Sequence, residues 1–241
     1  RIFEFIGKNN PRFSNNRFNK YKSYLSMIYK ELIEAEAVDS NPTRDISSKK
    51  KTRKLRAVLT PAEEKTINDY LHAVDYRFWR FMRLFFDCQA RTTEMMQLRK
   101  NDMVRIPQQE ITVIVKKGSE TKEAIRIMSK EVIDLWQEVW NEAKDGQYLF
   151  SHLLKPGNKP IRADQIGRRW TKYVKTKLGI NKDFYALKHL STDKMSASYG
   201  LTVASIGAGH TNTNTTRKYY TINERQRELE LLKQKKVSFG S

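Results

Sequence analysis

A cation, a histidine and a tyrosine follow one another late in this 241-residue chain in an order that suits attack on a phosphodiester. Lys188 stands in Y-A-L-K-H-L, His210 closes G-A-G-H, and Tyr219 follows nine residues later in T-N-T-N-T-T-R-K-Y-Y. Upstream, Arg91 opens A-R-T-T-E-M-M-Q-L, where a helix is expected to begin. Attack on a phosphodiester builds charge on the two non-bridging oxygens and on the leaving oxygen. Without a metal, fixed cations and hydrogen-bond donors must meet that charge. Arginine suits the first task, because its planar fork binds two phosphate oxygens at once. Lysine suits protonation of a departing 5′ oxygen, because its pKa falls in a cationic site. Tyrosine can be the nucleophile, since a phenolate forms more easily than an alkoxide and a phosphotyrosyl link stores the bond energy.

The charge balance points the same way. The chain carries 46 Lys+Arg against 27 Asp+Glu, a net charge of +19. Such one-sidedness costs self-repulsion and implies a polyanionic partner, with nucleic acid ahead of an anionic membrane. No segment reads as a membrane span: the most apolar window, Phe78 to Cys88, is broken by Arg80, Arg83 and Asp87 and is expected to be a core helix. The opening R-I-F-E-F-I-G lacks the apolar core of a signal peptide and reads as the tail of a helix, so the sequence is expected to begin inside a domain. The single cysteine, Cys88, has no internal disulfide partner, which suits a reducing compartment. With Phe85 and Phe86 as its neighbours, Cys88 is expected to be a small buried hydrophobe and not a nucleophile. The expected location is the cytoplasm, in association with DNA.

Several elements must position these residues. Phe18, Tyr21, Leu25, Ile28 and Leu32 recur at helical steps, and Asn41-Pro42 is expected to end that segment. The run from Ser47 to Arg56 is rich in cations without apolar periodicity and reads as a linker, with Lys49, Lys50, Lys51 and Arg53 as candidate DNA contacts. Thr60-Pro61-Ala62-Glu63 is a helix start with a capping box, and a second helix is expected from Arg77 to about Cys88. Ile111, Val113 and Val115 alternate on one strand, Lys117-Gly118-Ser119-Glu120 supplies a turn, and Ile125 and Ile127 alternate on the return strand. Ser129 is expected to cap a helix holding Val132, Leu135, Trp136 and Val139. Helices resume near Asp164, with breaks at Gly179 and Gly200. The fold class is mostly α (α+β), with one small antiparallel sheet.

In order and spacing these residues resemble the tyrosine recombinase (phage integrase) family. That family uses an arginine, a hairpin lysine, a cluster of the form H-x-x-R, then His or Trp, then Tyr. Arg91 matches the first position, with Glu94 as its accompanying acid in R-x-x-E. Lys117 matches the hairpin lysine, and Lys116 is the alternative one residue away and a further candidate DNA contact. Tyr185 and Lys188 occupy the H-x-x-R positions, Gly209-His210 matches the family's G-H, and Tyr219 is the nucleophile that the resemblance implies. Alone, Arg91 reads as a surface residue, Lys117 as turn chemistry, His210 as a cap or core histidine, and Tyr219 as packing beside Tyr220. The ordered set carries the argument.

The resemblance implies residues 1–46 as a partial helical core-binding domain, 47–57 as a basic linker, and 58–241 as a catalytic domain with a C-terminal helix. It implies a clamp on double-stranded DNA, no cofactor and no metal. It also implies a homotetramer on DNA, docked through the segment Arg225 to Lys236. Two positions depart from the pattern. Lys188 keeps the charge but loses the bidentate fork, and Tyr185 cannot act as an imidazole acid or base near neutral pH. The leading expectation is cleavage and rejoining of DNA through a 3′-phosphotyrosyl intermediate. Two alternatives stay open: a recombinase-fold protein that binds DNA with little or no chemistry, and a type IB topoisomerase.

Overall fold

Local capping chemistry decides where the earlier helices of this chain begin, and long-range pairing decides what its sheet presents to the core. The computed structural model describes residues 2–10, 13–51, 58–101, 103–117, 119–210, 212–219, 227, 229, 230 and 233, with backbone alone for Ile2, Lys117, Lys218 and Tyr219. The chain divides into two units, Arg1–Leu55 and Arg56–Ser241. Arg53, Gly118, Tyr220 and most of the expected C-terminal helix lie outside the described residues.

The first unit holds α1 (Ile2–Asn9) and α2 (Asn15–Glu34). Ser14 caps α2, its hydroxyl accepting from the Arg17 N–H at 3.3 Å. The helices meet through rings: Phe3 lies 4.5 Å and Phe13 6.3 Å from Phe18, centroid to centroid. Helix α2 ends at Glu34, earlier than Asn41-Pro42, because Glu36 turns to a left-handed φ of 55°. Asn41 instead fastens the chain beyond the helix, donating to the Ser26 carbonyl at 3.3 Å and accepting from the Thr43 N–H at 2.9 Å.

The second unit opens with α3 (Pro61–Val74), and its capping box is complete. The Thr60 N–H donates to Glu63 Oε2 at 2.7 Å, and the Glu63 N–H donates to Thr60 Oγ1 at 3.3 Å. Asp75 then caps α4 (Tyr76–Cys88) through the Phe78 N–H at 3.1 Å. Helix α4 is the central pillar. Phe78, Phe81, Leu84, Phe85 and Cys88 are buried, each phenylalanine stabilising the fold by roughly 1.5–3 kcal/mol. Phe184 closes over them, 4.6 Å from the Phe85 ring. Gln89 takes a left-handed φ of 52° and stops α4, and after Ala90 the one-turn helix α5 (Thr92–Met95) begins.

The sheet is antiparallel in the order β1 (Val104–Arg105), β2 (Glu110–Lys117) and β3 (Glu120–Ile127). Lys117 pairs with Glu120, so Ile111 pairs with Arg126 and Val113 with Ala124. Ile111 and Val113 face the core. Cross-strand partners share a face, so β3 turns Arg126 inward and its two isoleucines outward. Arg126 is 5% exposed, against 53% for Ile125 and 62% for Ile127. The apolar alternation of that strand therefore marks its outer face.

After the sheet, Ser129 does not cap with its side chain; its N–H is held by Asp87 Oδ2 at 3.0 Å, and a 3-10 turn (Lys130–Val132) leads into α6 (Ile133–Glu142). Helix α7 (Ala163–Trp170) continues into a π-helical stretch, Thr171–Lys177. Helix α8 (Ala186–Gly207) is interrupted at Gly200, whose φ is 83°, and α9 (Thr213–Tyr219) packs against α8. Among the described residues no helix is long and apolar enough to cross a membrane.

Candidate active site

Arg91 stands at the N-cap of α5 in extended backbone, the conformation a helix start requires. Glu94, one turn on, is buried and holds it twice. The Arg91 N–H donates to Glu94 Oε2 at 2.8 Å, and Arg91 Nη1 donates to Glu94 Oε1 at 3.0 Å. The Arg91 side chain is 47% exposed. One edge of the fork is thus fixed by a carboxylate, while the group as a whole still meets solvent.

Arg126, carried in from β3, was not among the residues singled out from sequence. Its Nη2 lies 3.9 Å from Glu94 Oε2, its Nη1 donates to the Ile125 carbonyl at 3.3 Å, and its guanidinium presses on Gly209. Its buried Nε has no partner among the described residues. Burial pulls its pKa down, against the nearby Glu94 carboxylate, which favours the charged form. Two guanidiniums therefore flank one buried carboxylate.

Lys188 completes the cationic group from the first turns of α8. It is 2% exposed, and its ammonium lies 3.4 Å from the Ala208 carbonyl at the far end of the same helix. Burial pushes its pKa down to about 8; Arg126 and Arg91 push the same way, and Glu94 opposes them. Cys88 lies nearby, and burial pushes its thiol up to about 12, which fits the inert small hydrophobe expected.

His210 follows the turn that leaves α8, where Gly209 has a φ of 68° and the His210 N–H donates to the Ser205 carbonyl at 2.9 Å. Burial pushes the imidazole down to about 4, and Lys188, Arg91, Arg126 and His189 add to that push. His210 is therefore neutral near pH 7. Its Nδ1 lies 2.6 Å from Thr216 Oγ1, the hydroxyl of Thr216 lies 3.0 Å from Ser205 Oγ, and Ser205 Oγ lies 3.2 Å from the Asn212 carbonyl.

The structure thus gathers Arg91, Glu94, Lys188 and His210 and adds Arg126. Tyr185 precedes α8 and stacks edge-on with His189, ring centroids 5.3 Å apart; it lines a cleft with Thr92, Arg168, Lys172 and Lys175. Lys117 ends β2, Lys116 beside it is exposed, and Tyr219 ends α9, one turn after Thr216. In the first unit Lys49, Lys50 and Lys51 are exposed, and the start of the basic run is tied down. Asn19 bonds the Lys49 N–H and carbonyl, both at 2.8 Å, and Asn15 donates to the Lys50 carbonyl at 3.1 Å.

Comparison with known proteins adds three findings. Residues 57–226 match the model of the phage integrase family. No curated protein matches the chain in sequence. Among solved structures, the Tn1549 transposon integrase in complex with circular intermediate DNA is similar over 94% of this chain and 82% of its own, at 17% identity and a TM-score of 0.71. XerA recombinase is similar over 98% of this chain and 88% of its own, at 18% identity and a TM-score of 0.59. A lambda integrase tetramer bound to a Holliday junction is similar over 88% and 62%, at 16% identity and a TM-score of 0.67.

Proposed function

The chain belongs to the phage integrase family of tyrosine recombinases, and on that premise we propose that it cleaves and rejoins DNA at specific sites through a 3′-phosphotyrosyl intermediate. The observation that carries the reading is the group of solvent-facing Arg91 and buried Arg126 and Lys188 around the buried carboxylate of Glu94, with neutral His210 beside it. Three cations against one carboxylate leave a surplus of positive charge in a site partly removed from water. Such a surplus attracts a phosphodiester and stabilises the extra charge that forms as it is attacked.

In the proposed step, the Tyr219 oxygen attacks phosphorus and a new P–O bond forms as the bond to the 5′ oxygen breaks. The phosphoryl group remains on the 3′ side as a tyrosyl ester, and the 5′ oxygen departs as a hydroxyl after taking a proton from Lys117. Arg91 grips a non-bridging oxygen while Glu94 holds its other edge. Lys188 supplies a point charge where the family has a fork. Tyr185 can offer a hydrogen bond through its hydroxyl. Rejoining is the same step reversed, so the bond energy is kept and no external energy source is needed.

Duplex DNA is the proposed partner, supported by the net charge of +19 and by the DNA-bound integrases of the same fold. A tetrameric synapse is supported by the similar lambda integrase tetramer. The direct test is incubation with a nicked half-site duplex followed by a denaturing gel. A protein–DNA adduct that survives denaturation and is absent from Tyr219→Phe is the expected result. Binding with no adduct on any cognate site would leave a DNA-binding protein of recombinase fold.

A further inference from the structure

The hydrogen bonds behind His210 run in one direction only. At the far end is the Asn212 carbonyl, which can only accept, so the Ser205 hydroxyl 3.2 Å away gives its proton there. Ser205 Oγ, 3.0 Å from Thr216 Oγ1, is then the acceptor of the Thr216 proton. Thr216 has no second proton to give, so across the 2.6 Å contact with His210 it accepts and Nδ1 donates. A neutral imidazole carries one N–H. With that proton on Nδ1, the Nε2 of His210 carries a lone pair.

We propose that Ser205 and Thr216 are positioning residues that hold His210 as a proton acceptor, and that His210 Nε2 takes the phenolic proton of Tyr219 as it attacks. This rests on the recombinase reading of the same site. Thr216 and Tyr219 both belong to α9, one turn apart, so the helix that carries the nucleophile also carries the hydroxyl that sets the tautomer. Thr216 and Ser205 are both buried, so water does not compete for these bonds. The balance closes without a further reactant. The Oη–H bond breaks as the Oη–P bond forms, the proton moves to Nε2, and His210 becomes an imidazolium that keeps its Nδ1–H on Thr216. On rejoining, the imidazolium returns the proton to the departing phenol. Burial holds the imidazole neutral, and the neighbouring cations add to that push. A bound phosphodiester brings negative charge beside them and raises the basicity of His210 when the base is needed.

The test has one arm independent of activity. In the full chain labelled with 15N-histidine, with His210 assigned by comparison with His210→Gln, the nitrogen shifts at neutral pH are expected to show a protonated Nδ1 and a bare Nε2. The opposite tautomer, or an imidazolium, would overturn the relay whether or not the protein cleaves DNA. The second arm is single-turnover cleavage. Thr216→Val removes the acceptor, frees the ring to adopt Nε2–H, and is expected to slow adduct formation at least about tenfold with duplex binding unchanged, since a positioned base contributes on the order of a hundredfold or more. Thr216→Ser keeps the hydroxyl and is expected to restore most of the rate. If His210 instead donates from Nε2 to the phosphate, Thr216→Val would keep or raise the rate, and the proposal fails. Absence of adduct from the parent chain sinks the recombinase reading and leaves the tautomer result standing.

Discussion

Arg126 and Gly209 stand so close that a Cβ on Gly209 would lie 2.1 Å from Arg126 Nη2 and 2.6 Å from Cζ. Gly209 also has a φ of 68°, which a side chain resists. The residue before His210 is therefore glycine for two separate reasons. One is the turn out of α8; the other is the guanidinium brought in by β3.

Gly209→Ala is expected to lose about 1–2 kcal/mol from the left-handed backbone alone, and more from the displaced guanidinium. Arg126→Met removes only the second part. Because the buried Arg126 is incompletely paired, replacing it with an apolar residue should leave the melting temperature unchanged or raised. Its cleavage rate should nevertheless fall, since Glu94 and the Gly209–His210 turn lose their neighbour. A double-mutant cycle of melting temperatures checks the steric coupling: the pair should be less destabilised than the two single effects added. Strict additivity would mean that the two residues do not meet.

Much of this was legible from local chemistry. Thr60 and Glu63 announce the start of α3 because both halves of a capping box lie within four residues. Arg91 and Glu94 are visible as R-x-x-E for the same reason. Arg126 was missed because Ile125 and Ile127 look like the core-facing residues of their strand, and only pairing with β2 decides which face is inside. The phase was available in principle: the register that pairs Lys117 with Glu120 puts Arg126 opposite the buried Ile111. Thr216 and Ser205 carried no such signal. Threonine and serine in helices are usually solvated or bonded to their own backbone, and their alignment behind His210 depends on how α9 folds against α8.

The hairpin lysine has a chemical test. A general acid matters only when the leaving oxygen needs a proton. A substrate with sulfur at the 5′ bridging position leaves without one, so it should restore adduct formation to Lys117→Ala while leaving Arg91→Ala slow. Restoration of Lys116→Ala in place of Lys117→Ala would move the role to the exposed neighbour. Failure to restore either would remove the hairpin from proton transfer.

The proposed nucleophile has a tyrosine beside it, and mutation separates the two. Tyr219 lies one turn after Thr216 on α9. Tyr219→Phe should abolish the adduct and leave duplex binding near the parent value, whereas Tyr220→Phe should keep it. Peptide mapping of the adduct checks the assignment, and a phosphotyrosine at Tyr220 would overturn it.

The substitution of lysine for a fork at position 188 should be visible in the pH dependence of both cleavage and stability. Lys188 is held to about 8, chiefly by burial, with Arg126 and Arg91 adding to the fall and Glu94 opposing it. A cleavage step that needs the ammonium is at full strength below that pH and declines above it, well before an ordinary lysine near 10.4 would lose its proton. Lys188→Arg cannot lose its charge in that range, so its rate should hold as pH rises. Stability runs the opposite way. The unfolded chain binds the lysine proton more tightly than the folded one, so folding is penalised wherever the folded state must keep Lys188 charged. That penalty is complete below pH 8 and fades as pH climbs through the interval to the unfolded value. Its size is on the order of 3 kcal/mol. Lys188→Met should therefore melt higher than the parent near neutral pH, with the gap closing toward pH 10, while losing about ten- to a hundredfold in cleavage rate from the missing charged hydrogen bond. Parental cleavage by the methionine variant would end the claim that this ammonium meets the phosphate. A parental alkaline limb in Lys188→Arg would assign the titration to another group.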